Sequence, residues 1–329
     1  MEFLKFTETV KQGLADYFGE GADIMLTPVK KNNGVILNGV VIKEKDSYIA
    51  PTIYLEGFYE EYRKGKSLGE TVLRIIKLYE HSRVENGGDL EFFKEYEKVR
   101  KKIYYKLINA GKNKELLEEI PYIPYLDLAI VFYYDCSGDL FGNAAILIKN
   151  SHLKMWGTDV YAVYKDAVVN TPKYNPCEIK TMEEVMKEIL VADMKEELWN
   201  SMRNEAASDC VPLSEECMDQ LARQMVKQME ETEEQTPMYV LSNTERTHGA
   251  ACILYGNLLE DFSKRLNDNF YVLPSSVHEM ILIPAAFAGK ASELKSMVSE
   301  INETQVEEEE ILSNSVYFFN RLTKKLELA

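Results

Sequence analysis

The chain reads as an α+β protein, with an antiparallel or mixed sheet built from strand–strand–helix units and a helical insertion. Three observations predict it. An Asn32-Asn33-Gly34 step joins two apolar alternations, the pattern of a β-hairpin. Paired apolar runs followed by a helical period recur at 23–82, 125–170, 237–267 and 269–304. A Met- and Glu-rich stretch of helical period, 181–235, separates the second pair from the third. A doubly wound parallel fold would instead alternate single strands with helices.

The elements follow in order. Residues 3–18 form an amphipathic helix that ends at the Gly19-Glu20-Gly21 break. Strands are expected at 23–30 and 34–43, and a helix after Pro51 with Leu55, Phe58, Tyr59 and Tyr62 on one face. Ser67 and Glu70 are spaced as a capping box and start a helix to about 82. Asp89 is placed to cap a third helix to about 109, with a break at 85–89 before it. Residues 125–135 read as a strand, 136–143 as a turn, and "AAILIKN" as the return strand. A short helix at 151–157 and a longer one ending before Pro172 follow, the pair-then-helix order again.

Thr181 and Glu184 repeat the capping-box spacing and open the insertion, which an acidic stretch at 230–237 closes. "MYVLSN" is a strand, and "GAACILYG" a second strand or a helix entry. A helix begins at Asn257, "FYVLP" and "HEMILIP" are strands, and 290–304 is a helix. A last strand is expected in "EILSNSVYFFNRL". These units imply a sheet with helices on one side. They divide into an N-terminal hairpin-plus-helices region, 1–119, and a larger sheet-and-helix region, 120–329, with the insertion at 181–235.

Composition narrows the function. At 329 residues with 46% hydrophobic and 28% charged residues, the chain has material for a packed core. The net charge of −16 repels phosphate backbones and sets nucleic acid aside as a partner. One basic stretch, 94–106, interleaves Tyr96, Tyr104 and Tyr105 with lysines. It reads as the solvated face of a long helix, with weak RNA binding as its alternative. No run approaches the roughly 20 apolar residues of a membrane span, and the N-terminus lacks the pattern of a signal peptide. Cys136, Cys177, Cys210, Cys217 and Cys252 are odd in number and scattered, which fits reduced thiols in a cytoplasm.

No cofactor or metal signature is present. "GDLFGN" leads into a strand and lacks the Lys-Ser/Thr step of a phosphate-binding loop. There is no His-Glu-x-x-His and no Cys-x-x-Cys. The chemistry-bearing side chains gather instead in two segments, "LSNTERTHGA" and "LPSSVHEMI", each following an apolar strand. If the strands share a sheet, the loops share its edge and bring together Asn243, Glu245, His248, Ser275, Ser276, His278 and Glu279. A His with a carboxylate and hydroxyls nearby is the minimum for general acid–base work. In the plainer reading the serines bond the turn backbone, His278 pins the loop and Glu279 faces water.

The segments "PTIYLEGFYEEY" (51–62), "NGVVI" (38–42), "LKMWG" (153–157), "NTP" (170–172), "MYVLSN" with "GAACILY", and above all "VLPSSVHEMILIP" (272–284) resemble an uncharacterised domain-of-unknown-function family of anaerobic Gram-positive gut bacteria. That family is distantly similar to a bacillus-type cytosolic uncharacterised family with a like strand–Pro-Ser-Ser-x-His-Glu–strand segment. The likeness spans about 20–325, and the stretch 181–235 departs from it. It implies a bacterial cytoplasmic protein and brings no reaction.

The expectation is therefore a non-enzymatic module that binds a protein partner or a second copy, with no cofactor, no metal and no membrane. The binding residues would be Asn243, Glu245, His248, Ser275, Ser276 and His278. The alternative is a hydrolase-like enzyme with His278 as base, Glu279 or Glu245 orienting it, and Ser275 or Ser276 as nucleophile or oxyanion donor.

Overall fold

A computed structural model of the chain describes residues 1–44, 52–82, 90–136, 145–205, 217, 219–221 and 237–329. The breaks expected at 85–89 and 137–143, the Asp89 cap and most of the insertion beyond Glu205 lie outside these residues. The architecture is α+β, with antiparallel strand pairing throughout the described sheets. It falls into two compact units: Met1–Pro176 with Asn302–Ser313, and Cys177–Ile301 with Asn314–Ala329.

The first unit opens with helix α1 (Phe3–Phe18) and a sheet ordered β1 (Ala22–Lys30), β2 (Ile36–Glu44), β3 (Thr52–Tyr54). The hairpin forms where the Asn-Gly step predicts it: Asn33 and Gly34 take φ of 58° and 77°, the left-handed region these residues tolerate. Pro28 is confined to the edge strand β1, where its missing N–H is harmless. Helices α2 (Glu56–Arg63) and α3 (Leu68–Ser82) follow. The Ser67–Glu70 capping box is reciprocal, with Ser67 N donating to Glu70 Oε2 (2.9 Å) and Glu70 N to Ser67 Oγ (3.2 Å). Phe6, Val10 and Leu14, one face of α1, pack with Ile24, Val40, Ile42, Leu55, Ile75 and Tyr79.

A second sheet holds β4 (Ile103–Asn109), β5 (Tyr122–Tyr125), β6 (Leu128–Asp135) and β7 (Ala145–Leu147). β6 is central: β4 pairs with it on one side, and β5 and β7 on the other. Its near-continuous apolar sequence is what a strand buried on both faces requires. The helices here are α4 (Tyr96–Val99), α5 (Lys114–Glu119), α6 (Asn150–Trp156) and α7 (Val160–Tyr174). Thr171 docks α7 on β4, its hydroxyl accepting from Tyr105 N (3.1 Å) and donating to Ala167 O (2.8 Å).

The long helix expected to about 109 is corrected. A short helical turn over 96–102 gives way to β4, because "IYYKLI" is an apolar run that the sheet buries on both faces. Tyr104 and Tyr105 are therefore core residues, and the Tyr96 hydroxyl donates to Asp166 (2.8 Å). None of the three rings stands free for stacking on a base.

Residues 302–313 cross the turns of this unit and are held by asparagines. Asn33 Nδ2 donates to the carbonyls of Glu308 and Ile311, Asn32 Nδ2 to that of Glu309, and Asn109 Nδ2 to that of Leu312. Asn113 Oδ1 accepts from Asn33 N, and its Nδ2 donates to Asn33 Oδ1 and Asn109 O.

The second unit is one sheet ordered β13-β12-β10-β11-β9-β8. In chain order its elements are β8 (Cys177–Thr181), α8 (Met182–Glu205), β9 (Tyr239–Asn243), a 3-10 turn (Gly249–Leu254), α9 (Leu258–Leu266), β10 (Phe270–Pro274), β11 (Met280–Pro284), α10 (Ala291–Thr304), β12 (Tyr317–Asn320) and β13 (Lys325–Leu328). Helices cover both faces rather than the one expected. Leu273 and Ile283 pack against Leu294 and Val298 of α10, while Phe270, on the other face, meets the Phe262 ring of α9 at 5.0 Å. "GAACILYG" is the buried 3-10 turn, not a strand. Among the described residues no helix is long and apolar enough to cross a membrane.

Lys106 is the one charge placed within the apolar run of β4, between buried Tyr105 and Leu107. Burial, then the Lys31 ammonium, bring its pKa from 10.5 down to about 8, with Glu309 opposing. Below pH 8 both folded and unfolded chains carry the proton, and the folded chain bears the desolvation penalty. Between pH 8 and 10.5 the unfolded chain binds more protons, so stability rises with pH and the penalty vanishes. Lys106→Met is accordingly expected to stabilise the fold at pH 7 by on the order of 2 kcal/mol. Denaturant unfolding of both proteins at pH 7 and pH 10.5 checks this: the gap must shrink at the higher pH.

Candidate functional site

The two loops singled out in the sequence meet. β9 ends at Asn243 and β11 begins at Met280; the strands pair antiparallel with Met280 opposite Leu241, which brings both loops to one end of the sheet.

Each loop is first folded on itself. Asn243 brackets the first: its Oδ1 accepts from Thr247 N (3.2 Å) and its Nδ2 donates to Thr247 O (2.8 Å). Arg246 N donates to Asn243 O (3.0 Å). Arg246 and His248 take φ of 49° and 55°, sparsely populated for side chains of their size, so the surrounding bonds must hold them. In the second loop Ser275 N and Ser276 N both donate to Glu279 O (3.3 Å each). Ser275 Oγ donates to Glu279 Oε1 (3.2 Å), and His278 N donates to Ser276 Oγ (3.0 Å).

His278 then joins the two. Its Nδ1 accepts from His248 N (3.2 Å), and its carbonyl accepts from Ser242 Oγ (2.8 Å). Ala250 N donates to Val277 O (3.3 Å). The rings of His248 and His278 lie parallel, 5.8 Å apart and 7° from coplanar in orientation. An Nδ1 that accepts leaves Nε2 as the proton-bearing nitrogen of the neutral ring. Gly249 fits the seam because it has no side chain. A Cβ there would collide with Ser242 Oγ and the His278 carbonyl and lie 2.8 Å from Asn243 N.

The expected residues thus fall into three groups. Asn243, His248, Ser276 and His278 form the cross-linked base. Ser275 and Glu279 pair beside it. Glu245 is exposed on the loop, its carbonyl accepting from Thr247 Oγ1 (3.2 Å). Both serine hydroxyls serve the turn in this arrangement. Cys252, buried in the 3-10 turn, has its thiol pushed up to about 12 by desolvation, which removes it as a nucleophile. None of the four described cysteines is in a disulfide, and no group of three or more His, Cys, Asp or Glu among the described residues is placed to hold a metal.

Sequence reasoning missed Ser242, Gly249, Arg246 and Glu188. Arg246 pairs with Glu188, one turn into α8 from its reciprocal Thr181–Glu184 cap. An exposed pair of this kind contributes little energy, at most about 1 kcal/mol, but it sets the loop beside the helix. α8 runs unbroken for 24 residues. It shows Met186, Ile189 and Leu190, 49%, 48% and 47% exposed, at the i, i+3, i+4 spacing of one face.

Fold and site define an α+β protein with a histidine-pinned double loop and, tied to it, a charged helix that exposes three apolar side chains. The chain belongs to DUF5688, a family of unknown function, which it matches over residues 3–321. No curated protein and no solved structure matches it.

Gly249→Ala is expected to cost about 2 kcal/mol or more, since the seam atoms it meets include backbone. His278→Ala is expected to cost about 1–2 kcal/mol by orphaning the His248 N–H. Urea unfolding measures both, and faster amide exchange at His248 in His278→Ala distinguishes loss of the pin from a general loosening.

Proposed function

We propose that the chain is a non-enzymatic module of the bacterial cytoplasm that binds another protein, or a second copy of itself, through α8 and the adjoining 243–248 loop. The observation that carries this is the apolar face of Met186, Ile189 and Leu190, about half exposed on a helix tied to the loop by Glu188 and Arg246. Apolar side chains grouped in this way on a charged surface are the composition of an interface centre. The loop is exposed as well, with Glu245, Arg246 and Thr247 standing above the histidine base as polar groups open to a partner. The compartment rests on scattered cysteines, none of the described ones in a disulfide, and on the likeness to families of Gram-positive gut anaerobes and bacilli.

The test is native mass spectrometry of the chain isolated gently from cells that make it. The expected result is a stoichiometric partner or a homo-oligomer, with Ile189→Asp/Leu190→Asp weakening the complex by about 30-fold or more. His278→Ala should weaken it far less. A monomer that turns over an ester or amide substrate, with turnover lost in His278→Ala, would replace this reading by the hydrolase one. There His278 would act as base, with Ser275 or Ser276 and Glu279 or Glu245.

A further inference from the structure

The first unit carries a cleft of about 380 Å³ between helix α5 and the β5–β6 hairpin, at the low end of the roughly 300–1,000 Å³ usual for small-molecule sites. Leu117 of α5, Tyr122 and Pro124 of β5 and Leu126 of the turn give it an apolar lining. Lys114 and Glu118, one turn apart on α5, are its charged lining residues.

Both walls are held in place. Asn113, the residue before α5, is buried, and its Nδ2 donates to Asn109 O (2.8 Å) and Asn33 Oδ1 (3.0 Å). Near the other end of the helix the Glu118 carbonyl accepts from Asn150 Nδ2 (3.1 Å). The hairpin is fixed by Ala110 N donating to Asp127 O (3.1 Å) and by Asp127 Oδ2 accepting from Ser313 Oγ (2.5 Å).

Two features mark this cleft as more than a gap in packing. The first is the turn. Leu126 has φ of 54°, in the left-handed region where glycine or asparagine is the ordinary residue, and is 39% exposed. A glycine there would relieve the strain; the leucine instead presents an apolar side chain to the cleft. The second feature is the pairing of charges along α5. Glu115 pairs with Lys30, and Glu119 with Lys149 (3.6 Å); neither glutamate lines the cleft. Lys114 and Glu118 do line it, and among the described residues neither side chain makes a hydrogen bond or an ion pair within 4.0 Å. At i and i+4 they are spaced to pair with each other and do not. A cation and an anion are thus left open at one apolar cleft, roughly 6 Å apart along the helix axis. A ligand that is only an acid would set its carboxylate against Glu118, and one that is only an amine would set its ammonium against Lys114. A zwitterion answers both charges.

We propose that the cleft binds a free α-amino acid with an apolar side chain. Lys114 takes its carboxylate, Glu118 takes its ammonium, and Leu117, Pro124 and Leu126 cover its side chain. The site is lined by the first unit alone and draws nothing from the α8 surface.

The test titrates the full chain with L-phenylalanine, followed by amide NMR. N-acetyl-phenylalanine and phenylalanine amide serve as probes that each keep one charge, and they stand for the C-terminus and the N-terminus of a peptide. Phenylalanine should bind with a Kd on the order of 1 mM and move the amides of Leu117 and Leu126. Each capped form should bind about 5-fold or more weakly, the loss of one charge pair open to water. Lys114→Gln should remove the advantage of phenylalanine over its amide, and Glu118→Gln its advantage over the N-acetyl form. Both substitutions fall at exposed positions, and unchanged amide spectra outside the cleft verify the fold. No movement at Leu117 and Leu126 with about 10 mM phenylalanine overturns the proposal. So does a capped form that binds as tightly as phenylalanine, which would give the cleft to a peptide end or to apolar contact alone. The comparison of the three ligands uses the unaltered chain and stands whether or not the variants fold.

Discussion

The constraint on which both units depend is the satisfaction of backbone groups where the chain leaves its sheets. A buried N–H or C=O without a partner costs about 1–3 kcal/mol, more than a typical made bond returns. In the first unit the 302–313 segment runs without strand partners, so its carbonyls need donors from elsewhere. Asn32, Asn33 and Asn109 supply them, and Asn113 supplies the acceptor for Asn33 N. Asn302 Nδ2 donates to Ser313 O (2.9 Å), closing the segment on itself. The left-handed Asn33 is thus fitted twice over. Its backbone turns the hairpin, and its amide reaches residues 275 and 278 positions away in sequence.

The same logic gives the double loop of the second unit its shape. His248 and Arg246 occupy backbone conformations that cost about 1 kcal/mol or more each, and they persist only because neighbours over-determine them. The imidazole of His278 does this by accepting a backbone N–H, the work of a carbonyl in a regular ladder. Gly249 lets the seam close. The consequence is a division of labour. The base is cross-linked by hydrogen bonds and partly buried, with Asn243 wholly so, and the residues above it, 244–247, remain exposed.

Local chemistry was legible wherever it is decided locally. The Asn-Gly turn, the two capping boxes and the β10–β11 hairpin each follow from residues within a few positions of one another. β4 was not, because "EKVRKK" carries helical composition straight up to Ile103 and the strand behind it has no alternation to announce it. β8 and β13, the edges of the second sheet, are short and polar, and only their pairing with β9 and β12 makes them strands. The members of the double loop were readable one by one. Their meeting depends on β11 lying between β9 and β10, a sheet order that no local pattern encodes. Ser242 and Gly249 matter only through that order, so nothing in their immediate sequence marks them.

The charge balance sharpens the contrast between Lys106 and the rest of the surface. The chain carries 54 acidic residues against 38 lysines and arginines, so carboxylates are abundant partners. Exposed cations use them freely: Lys264 reaches both Glu260 and Asp261, and Lys180 reaches Glu178 and Glu188. These pairs sit in water, where each contributes about 1 kcal/mol or less. The position with most to gain from a carboxylate is Lys106, largely removed from solvent on β4, where burial weighs most and the larger charge effect is another ammonium. Stability alone would select an apolar residue or a close ion pair at 106.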